Sequence, residues 1–558
     1  MKKIILILAI LMSAFVYQSC TKLQETILDE TLSVKLSDQE AANGILAPVY
    51  GKFIDIFTHT NYFALQEISS DEAILPYRGG TDWGDNGIYL SMHQHVTTST
   101  DPNVKNTWGH ILQGISRSVT AINTLPSLTV ASSKTYLAEA RGLKAYYNML
   151  VLDLFGLAFV KDEPGNPSVI LRGEKAVEYI KSELNAIVND LDPTVGPGRL
   201  TPNAALGLLA RLHLQSAVWK DVYGNPSFLP ADMDKVIEYC DKVIASGKQA
   251  LSPDYFAIFG NNNHDNKELI FAVDQRPDLN GHNRLAYFSL SGDQFPLPEF
   301  PNANGTDGPA ITSDFYQTWV KANAPIDPAL ADPRFYQQNI SFYSNPGDTC
   351  VAAKDFKIDR GILRGQQYGL LRVNGAFVKC GNGNLKVGKL FSVTRNKPTL
   401  AVDFTERVDF TVAGSDYSTG YRVEKYEFSS KSASGRNFGE ADISLVRYAD
   451  IYLMRAEAKL RKGDAAGALA DLNTVRAART KPAKPLAQLD LDILFRERGF
   501  EFYWEMIRRS DMIRFGKYEG TWTEKSNTDK SKRVFPIPQT AIDGASNLPG
   551  YLSQNQGY

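Results

Sequence analysis

The chain has 558 residues, a formal net charge of −2, 43% hydrophobic residues and 22% charged residues. This length exceeds the roughly 250–300 residues at which a single core stops growing, so we expect several domains or a repeat-like body. The composition is that of a globular protein, and the near-neutral charge gives no electrostatic reason to expect nucleic-acid binding.

The first predicted element is an export signal, residues 1–19. Two lysines precede an apolar stretch, residues 4–16, that is too short to span a bilayer, and Cys20 lies where this stretch ends. This arrangement is typical of bacterial lipoproteins, in which the cysteine is acylated after cleavage. An ordinary signal peptide with an incidental cysteine is the alternative. Acylation of Cys20 would make residues 20–36 a lipidated tether to a membrane.

A glycine-rich polar loop follows the first predicted helix, residues 37–57. Four glycines between residues 79 and 87 prevent a long helix there. An aromatic ring beside planar polar side chains suits a polyhydroxylated ligand, because the ring takes the C–H face of a sugar and the polar groups take its hydroxyls. A surface loop held by a buried tryptophan is the alternative. The candidate ligand-binding residues here are Arg78, Asp82, Trp83 and Tyr89.

Further helices complete a predicted N-terminal helical region, residues 37–250. Thr201 is a predicted N-cap with Pro202 at the first helical position, and Gly156 and Gly247 each end a helix. The last two of these helices form a pair similar to tetratricopeptide (TPR) repeats. Apolar residues at three-and-four spacing place the helices at residues 104–122, 137–154, 176–191, 202–219 and 233–246.

Residues 251–440 are predicted to form a loop-rich insertion with little helical periodicity. Residues 268–273 and 408–413 have the composition of short strands. An aromatic cluster contains Tyr316 and Trp319, which belong either to a short capped helix in the core or to a second ligand-binding wall.

The cysteines beyond Cys20 are few. Cys240 lies on the apolar face of a predicted helix and is predicted to be a buried thiol. Cys350 and Cys380 both lie in the polar insertion, where an oxidising compartment leaves two alternatives, a disulfide or two free thiols.

The C-terminal region, residues 441–558, is again helical. Residues 443–461 and 465–475 form a second alanine-rich pair, with Gly463 as the helix end and Asp464 as the next N-cap. Two such pairs more than 200 residues apart indicate helical repeats interrupted by a large insertion. Residues 491–517 predict a further helix that combines aromatic and charged side chains.

The charged residues of this last helix have two interpretations. Glu497, Glu501 and Glu505 share one face, which raises the possibility of acid–base chemistry. Ion pairing is the stronger interpretation, since Glu505 is spaced to meet Arg508 and Arg509, and Asp511 is spaced to meet Arg508 and Arg514.

No catalytic or metal-binding motif stands out in the sequence. HExxH, GxSxG, Walker and GxGxxG patterns are missing. His93 and His95 have no third ligand residue nearby, so ordinary hydrogen bonding is predicted for them. We therefore predict no cofactor and no metal.

Eight segments spread along the chain are informative together. They are the leader ending at Cys20, SSDEA (69–73), AEARGLKAYYNMLVLDLFG (138–156), ADPR (331–334), LVRYADIYLMRAEA (445–458), RERGFEFYWEMIRRSDMIRFGK (496–517), FPIPQ (535–539) and QNQGY (554–558). In this order they resemble the SusD/RagB family, the surface lipoproteins of Bacteroidetes nutrient-uptake systems. The resemblance covers almost the whole chain, with Met506 standing where the family usually has glycine.

The resemblance implies a mainly α fold, in which a TPR-like scaffold supports a loop-rich insertion that carries the ligand platform. It also implies a non-enzymatic lipoprotein on the outer face of the outer membrane that binds glycans and delivers them to a SusC-like TonB-dependent transporter. The same fold binding peptides is the first alternative. A surface glycosidase and a partner-only helical module are the others.

Overall fold

The computed structural model describes residues 36–78, 87–276, 284–298, 301, 303–339, 349–408, 415–428, 440–479 and 484–558. The protein is mainly α-helical, with long helices towards both ends of the sequence and short strands between them. Asp82, Trp83 and Cys20, together with the rest of the leader, lie outside the described residues.

Most of the described α-helices lie before residue 246 or after residue 447, and two short ones lie between these parts. They are α1 (Asp38–Ile56), α2 (Ile88–His93), α3 (Pro102–Thr124), α4 (Ser133–Phe155), α5 (Gly173–Ile187), α6 (Pro202–Trp219), α7 (Pro230–Ala245), α8 (Ser313–Asn323), α9 (Pro328–Ala331), α10 (Tyr448–Arg461), α11 (Ala465–Ala477), α12 (Leu491–Phe502), α13 (Arg508–Arg514) and α14 (Gln539–Gly544).

The strands are short and pair antiparallel in sheets of two or three. They are β1 (Ala73–Ile74), β2 (Ala158–Val160), β3 (Val169–Leu171), β4 (Leu269–Val273), β5 (Ala310–Ile311), β6 (Tyr336–Gln337), β7 (Thr349–Val351), β8 (Arg360–Leu363), β9 (Gly365–Gln366), β10 (Tyr368–Leu370), β11 (Arg372–Val373), β12 (Ala376–Phe377), β13 (Leu385–Lys389), β14 (Phe391–Ser392), β15 (Lys397–Ala401), β16 (Asp403–Phe404), β17 (Arg422–Glu424) and β18 (Ile443–Arg447).

The two alanine-rich helix pairs pack on each other although the insertion separates them in sequence. Helix α6 packs on α7, α10 packs on α11, and α7 lies against α10. Arg211 of α6 reaches Asp450 of α10 at 2.7 Å, and Arg455 of α10 reaches Asp241 of α7 at 2.5 Å. The prediction of helical repeats interrupted by an insertion is therefore confirmed.

The predicted helix ends are also confirmed. The Thr201 hydroxyl accepts the N–H of Ala204, and Asp464 accepts the N–H of Gly467. Gly156 and Gly463 have φ of 70° and 88°, the left-handed conformation that ends a helix most readily when no side chain is present.

Two predicted C-terminal helices are wrong in their bounds. Residues 443–447 form strand β18, which pairs with β4 about 170 residues earlier, so α10 begins only at Tyr448. Residues 491–517 form two helices, α12 and α13, because Trp504 and Met506 between them have φ of 65° and 62°. Such φ values interrupt a right-handed helix. They also explain why glycine suits the position of Met506.

The SSDEA segment holds this break in place from the other end of the chain. Glu72 accepts the N–H of Trp504 at 2.6 Å, and Glu67 accepts the N–H of Met506. Asp71 pairs with Arg508 at 2.7 Å. The carboxylates thus satisfy backbone donors that the interrupted helix leaves without partners.

The ion-pair interpretation of the last helices is confirmed, but most predicted partners are wrong. Glu505 meets Lys425 and Arg447, both at 2.7–2.8 Å, rather than Arg508 and Arg509. Asp511 meets Arg514 as predicted, at 2.7 Å, but its other partner is Arg498. The pairing is set by tertiary contacts, which helical spacing does not reveal.

The structure also shows the environment of the histidines, the cysteines and the predicted strands. His93 and His95 are buried and hydrogen-bond to backbone carbonyls, as predicted. Cys240 is a buried thiol, and Cys350 and Cys380 form a disulfide. Strand β4 matches the predicted strand at residues 268–273, whereas most of residues 408–413 lie outside the described residues. None of the described helices is long and apolar enough to cross a membrane.

Candidate ligand-binding face

Arg78, predicted to contact a ligand, is instead a buried clamp between two loops. Arg78 is 2% exposed. Its guanidinium donates to the carbonyls of Asp307 (3.2 Å) and Gly308 (3.0 Å) in one loop, and to those of Asp416 (3.1 Å) and Thr419 in another. The prediction is corrected for this residue, because the donors that a sugar would use are already engaged.

The prediction is also corrected for three aromatic candidates, because their side chains are buried. Tyr89 and Trp319 are 1% and 0% exposed, and Trp319 stacks on Phe500 with ring centroids 3.7 Å apart. Tyr316 is 8% exposed and accepts a hydrogen bond from Arg364 at 3.0 Å. The α8 cluster is therefore the capped core helix, with Thr312 as N-cap, and not a second ligand-binding wall.

The clamp positions an aromatic residue that the sequence did not single out, Tyr417. Tyr417 is half-buried and lies in the loop at residues 415–420. The Arg395 guanidinium and the Lys397 ammonium lie over its ring, 4.9 and 5.4 Å from the centroid. Asp416 pairs with Lys397 at 3.0 Å. We call Tyr417, Arg395, Lys397 and Asp416 the Tyr417 face.

The Tyr417 face is partly open to solvent. The side chains of Arg395, Lys397 and Asp416 are 33%, 41% and 39% exposed. The group combines a ring, two cations and a carboxylate within contact of one another. Such a combination can stack on a flat ligand surface and hydrogen-bond to hydroxyls or acidic groups around it.

A second buried arginine fixes the same loop from below. Arg422 is 0% exposed, donates to the carbonyl of Tyr417 at 2.6 Å and lies 5.0 Å from the Phe404 ring. Burial lowers the pKa of Arg422 to about 10, and burial and the charge of Arg422 both lower the pKa of Arg78. Placing two guanidiniums together out of water is unfavourable unless their donors are satisfied, and here backbone carbonyls accept hydrogen bonds from most of those donors.

The clamp also ties the face to the predicted glycine-rich loop. Ser415 donates its N–H to the carbonyl of Tyr77 at 2.9 Å, beside a bridge between Arg78 and Ser415. The segment that contains Asp82 and Trp83 begins one residue after Arg78, outside the described residues. The Tyr417 face and the base of that segment therefore share one clamp.

A larger concave region lies on the helical scaffold. A cleft of about 630 Å³ is lined by Tyr50, Tyr136, Arg199 and Arg276, among others, and a neighbouring cleft of about 560 Å³ shares His264 with it. The Arg199 guanidinium lies over the Tyr136 ring at 5.1 Å and pairs with Glu139 at 2.5 Å. This cleft offers a comparison for the Tyr417 face, because each contains a tyrosine beneath an arginine.

Among the described residues, one group has donor atoms close enough to hold a metal ion. The ligand atoms of His264, Asp274 and Asp442 lie within 4.8 Å of one another. His264 Nδ1 is 2.8 Å from Asp442, whose other oxygen accepts the N–H of Gln275, and Asp274 pairs with Arg276 at 2.7 Å. Protein groups thus already occupy both carboxylates, and the hydrogen bond that His264 donates to Asp442 raises the pKa of His264.

The amino-acid sequence is similar to SusD proteins along most of its length. The model of the SusD family matches residues 295–558. The starch-binding protein SusD of Bacteroides thetaiotaomicron is 26% identical over 518 residues, covering 89% of this chain and 85% of that protein.

Solved structures share the fold at lower identity. The surface glycan-binding protein A of Bacteroides fluxus matches with a TM-score of 0.65 and 18% identity, over 94% of this chain and 100% of that one. The surface glycan-binding protein A of Bacteroides thetaiotaomicron, solved with laminarihexaose, matches with a TM-score of 0.64 and 18% identity, over 92% and 99%.

Proposed function

Because the model of the SusD family matches residues 295–558 and the starch-binding protein SusD matches most of the chain, we propose that this protein is a SusD-like outer-membrane lipoprotein that binds glycans at the cell surface and delivers them to a SusC-like TonB-dependent transporter. The relative named as starch-binding and the neighbour solved with laminarihexaose support a glycan ligand. The apolar leader ending at Cys20 supports a lipid anchor.

The Tyr417 face, with Asp82 and Trp83 in the adjoining segment, is the proposed binding site. One observation carries this assignment. Arg78 and Arg422 bind the backbone of the Tyr417 loop from beneath, so the ring and its flanking cations are held in place before a ligand arrives. Pre-organised groups of this kind lose less entropy on binding, and sites held by rigid supports are the more precise.

We propose that the protein binds glycans without cleaving them. A glycosidase requires two carboxyl groups on either side of the scissile bond, in a cleft that admits the substrate. The aligned carboxylates of the last helices are buried and paired with arginines. Although burial raises the pKa of Glu501, Arg479, Arg447 and Arg334 together hold it well below its usual value. Incubation with a bound glycan should release no reducing ends.

Affinity electrophoresis of residues 21–558 tests the function and the site together. We expect a polysaccharide-containing gel to retard the protein and expect Tyr417→Ala and Trp83→Ala to lose most of the retardation. Tyr136→Ala is the matched control, because Tyr136 also lies beneath an arginine but in the scaffold cleft.

The outcomes separate site from function. Loss of retardation in Tyr136→Ala alone would move the site to the scaffold cleft. Retardation by no glycan, with binding of casein peptides instead, would replace the glycan proposal by the peptide alternative. Binding only to the co-purified transporter would indicate a partner-only module.

The anchor and the transporter partnership need their own measurement. Full-length protein should fractionate with outer membranes and co-purify with a TonB-dependent transporter, whereas Cys20→Ala should appear in the soluble fraction. Association of Cys20→Ala with the outer membrane at the mature length, as for the parent, would contradict anchoring through this residue.

A further inference from the structure

Positive charge is concentrated in one segment of the chain, residues 360–402. These 43 residues contain eight lysines and arginines and no aspartate or glutamate. Since the whole chain has a net charge of −2, the rest of it carries −10. The near-neutral total therefore conceals a strongly basic segment.

Half of these cations have carboxylate partners in the structure. Arg364 pairs with Asp327, Arg395 with Asp307 and Lys397 with Asp416, at 2.7–3.0 Å, and Arg360 is 3.5 Å from Glu424. The other four form no ion pair with any described residue: Arg372, Lys379, Lys386 and Lys389.

The four unpaired cations lie on one small antiparallel unit. Strand β13 carries Lys386 and Lys389 and pairs with β10 on one side and β7 on the other, while Arg372 lies in the neighbouring hairpin β11–β12. Lys379 and Lys389 are exposed, and Arg372 and Lys386 are half-buried. The Cys350–Cys380 disulfide closes this unit, which limits how far the like charges can move apart.

This unit is connected to the Tyr417 face through Asp293. Strand β10 of this unit packs against residues 292–294, which brings Arg372 near Asp293. Asp293 accepts the N–H and the hydroxyl of Thr394, at 3.0 and 2.8 Å, and the next residue is Arg395, which lies over Tyr417. The unpaired cations and the aromatic ring therefore belong to adjoining parts of the protein surface, joined through the buried Asp293.

We propose that this surface selects acidic glycans, chains that carry carboxylate or sulfate groups. The proposal rests on the glycan-binding function proposed above and names the class of glycan. A neutral glycan needs hydroxyl partners and a ring, and gains nothing from four cations without carboxylate partners on one small unit. Like charges repel one another in the folded protein, and an anionic chain lying across them relieves that repulsion.

An anionic membrane surface is the other source of negative charge. The glycan is favoured because the basic unit continues to the Tyr417 ring, and because the unit packs on other parts of the fold than α1 does. Helix α1, the first described helix after the proposed anchor, bonds through Gln39 and Asp38 to residues 129–136. The basic segment instead contacts Asp293 and Asp307 through Thr394 and Arg395, and pairs with strand β17 through β8.

Calorimetric titration of residues 21–558 with matched glycans tests the proposal. Polygalacturonate presents carboxylates, and its carboxyl-reduced form is a neutral chain of the same linkage. Carrageenan presents sulfates, and starch and laminarin represent neutral glycans. We expect binding to at least one acidic chain, no binding to the carboxyl-reduced form, and about a tenfold loss of affinity when salt is raised from 50 to 300 mM.

A pair of double variants assigns the effect to the basic unit. Lys386→Gln with Lys389→Gln should weaken acidic-glycan binding by about tenfold, since two of the four unpaired charges are removed. Lys105→Gln with Lys175→Gln removes two exposed charges from the helical half and should leave binding unchanged. Thermal melts of both should match the parent, because none of these lysines is fully buried and lysines at the surface contribute little to stability.

The failures are distinguishable. Salt-insensitive binding of a neutral glycan, or equal effects of the two double variants, would overturn acidic selection and leave the glycan function standing. Binding to phosphatidylglycerol vesicles without binding to any glycan would overturn the proposal in favour of a membrane contact. Binding to no glycan and no vesicle would refute both this inference and the glycan-binding function.

Discussion

The helical scaffold and the basic segment at residues 360–402 use charge in opposite ways. In the scaffold, Arg447 is 1% exposed and meets three carboxylates, those of Glu268, Glu501 and Glu505, at 2.7–2.8 Å. In the basic segment, Lys386 and Lys389 meet no carboxylate of a described residue. The first region satisfies its charges internally, and the second leaves them for a partner.

This difference shows that the location of charge is more informative than its amount. A buried charge is tolerated only with well-placed partners, so the scaffold arginines report on how the fold is held together. An exposed charge without a partner costs the fold little, so it is free to serve binding. Four predictions follow from this contrast, in decreasing order of effect.

Breaking the scaffold network should have the largest effect. Arg447→Met should lower the free energy of unfolding by about 3–5 kcal/mol, because it leaves three carboxylates buried without their shared partner. Lys389→Met, a change of the same kind in the basic segment, should cost less than about 0.5 kcal/mol. Urea unfolding of both variants measures the contrast, and equal losses would remove the distinction between the two regions.

Opening the disulfide should affect the basic segment and spare the scaffold. Replacing Cys350 and Cys380 by serine releases a cross-link with a sequence separation of 30. From loop-closure entropy we expect local stability to fall by about 3 kcal/mol. Limited proteolysis should cut within residues 371–384 faster, while α10 and α11 keep their hydrogen-exchange protection. Loss of protection in those helices would mean that the two regions unfold together.

A buried carboxyl in the scaffold should make stability depend on pH. Burial raises the pKa of Glu72 to about 8, with Arg508 and Lys425 opposing and Asp71 adding to the increase. A raised folded pKa stabilises fully below about pH 4.5, and this contribution is lost progressively as the pH rises from there to about 8. Between pH 6 and 9 the parent should lose about 3 kcal/mol through this group.

The variant Glu72→Gln isolates that effect. Glutamine keeps an oxygen to accept the N–H of Trp504 but does not ionise. Its unfolding free energy should therefore vary less with pH than that of the parent, with a remainder from Glu67, whose pKa burial also raises. Identical pH profiles for parent and variant would show that Glu72 does not titrate in this range.

Loosening the clamp beneath the Tyr417 face should have the smallest effect, and chiefly on binding. Arg78→Lys keeps the charge but loses the planar fork that reaches carbonyls in two loops. We expect glycan affinity to fall by about tenfold, or about 1.4 kcal/mol. A change in the melting temperature without any change in affinity would show that the clamp serves stability alone.

Local signals in the sequence predicted much of the scaffold. Thr201, Asp464, Gly156 and Gly463 each mark a helix end through the chemistry of a single residue. Strand β18 was predicted as helix because its partner β4 lies far away in the chain. Residues 443–447 have a spacing that suits either structure, and only the distant pairing decides between them.

The site was harder to predict than the scaffold. Trp319 had the composition of a binding wall, but its stacking on Phe500 is a contact across 181 positions that no local pattern reveals. Tyr417 was missed because nothing around it in sequence marks it, and its neighbours Arg395 and Lys397 come from another segment. The absence of acidic residues from 360 to 402 was visible in the sequence, but a net charge summed over the whole chain hid it.

The contact between the SSDEA segment and the α12–α13 break can form only late in translation. Glu72 and Trp504 are 432 positions apart in the chain. At about 5–20 residues per second, the ribosome needs roughly 20–90 s after making Glu72 to produce its partner. During that interval the N-terminal helices lack the segment that completes them. The contact between Glu72 and Trp504 can therefore form only near the end of translation, so the scaffold stays incompletely folded until then.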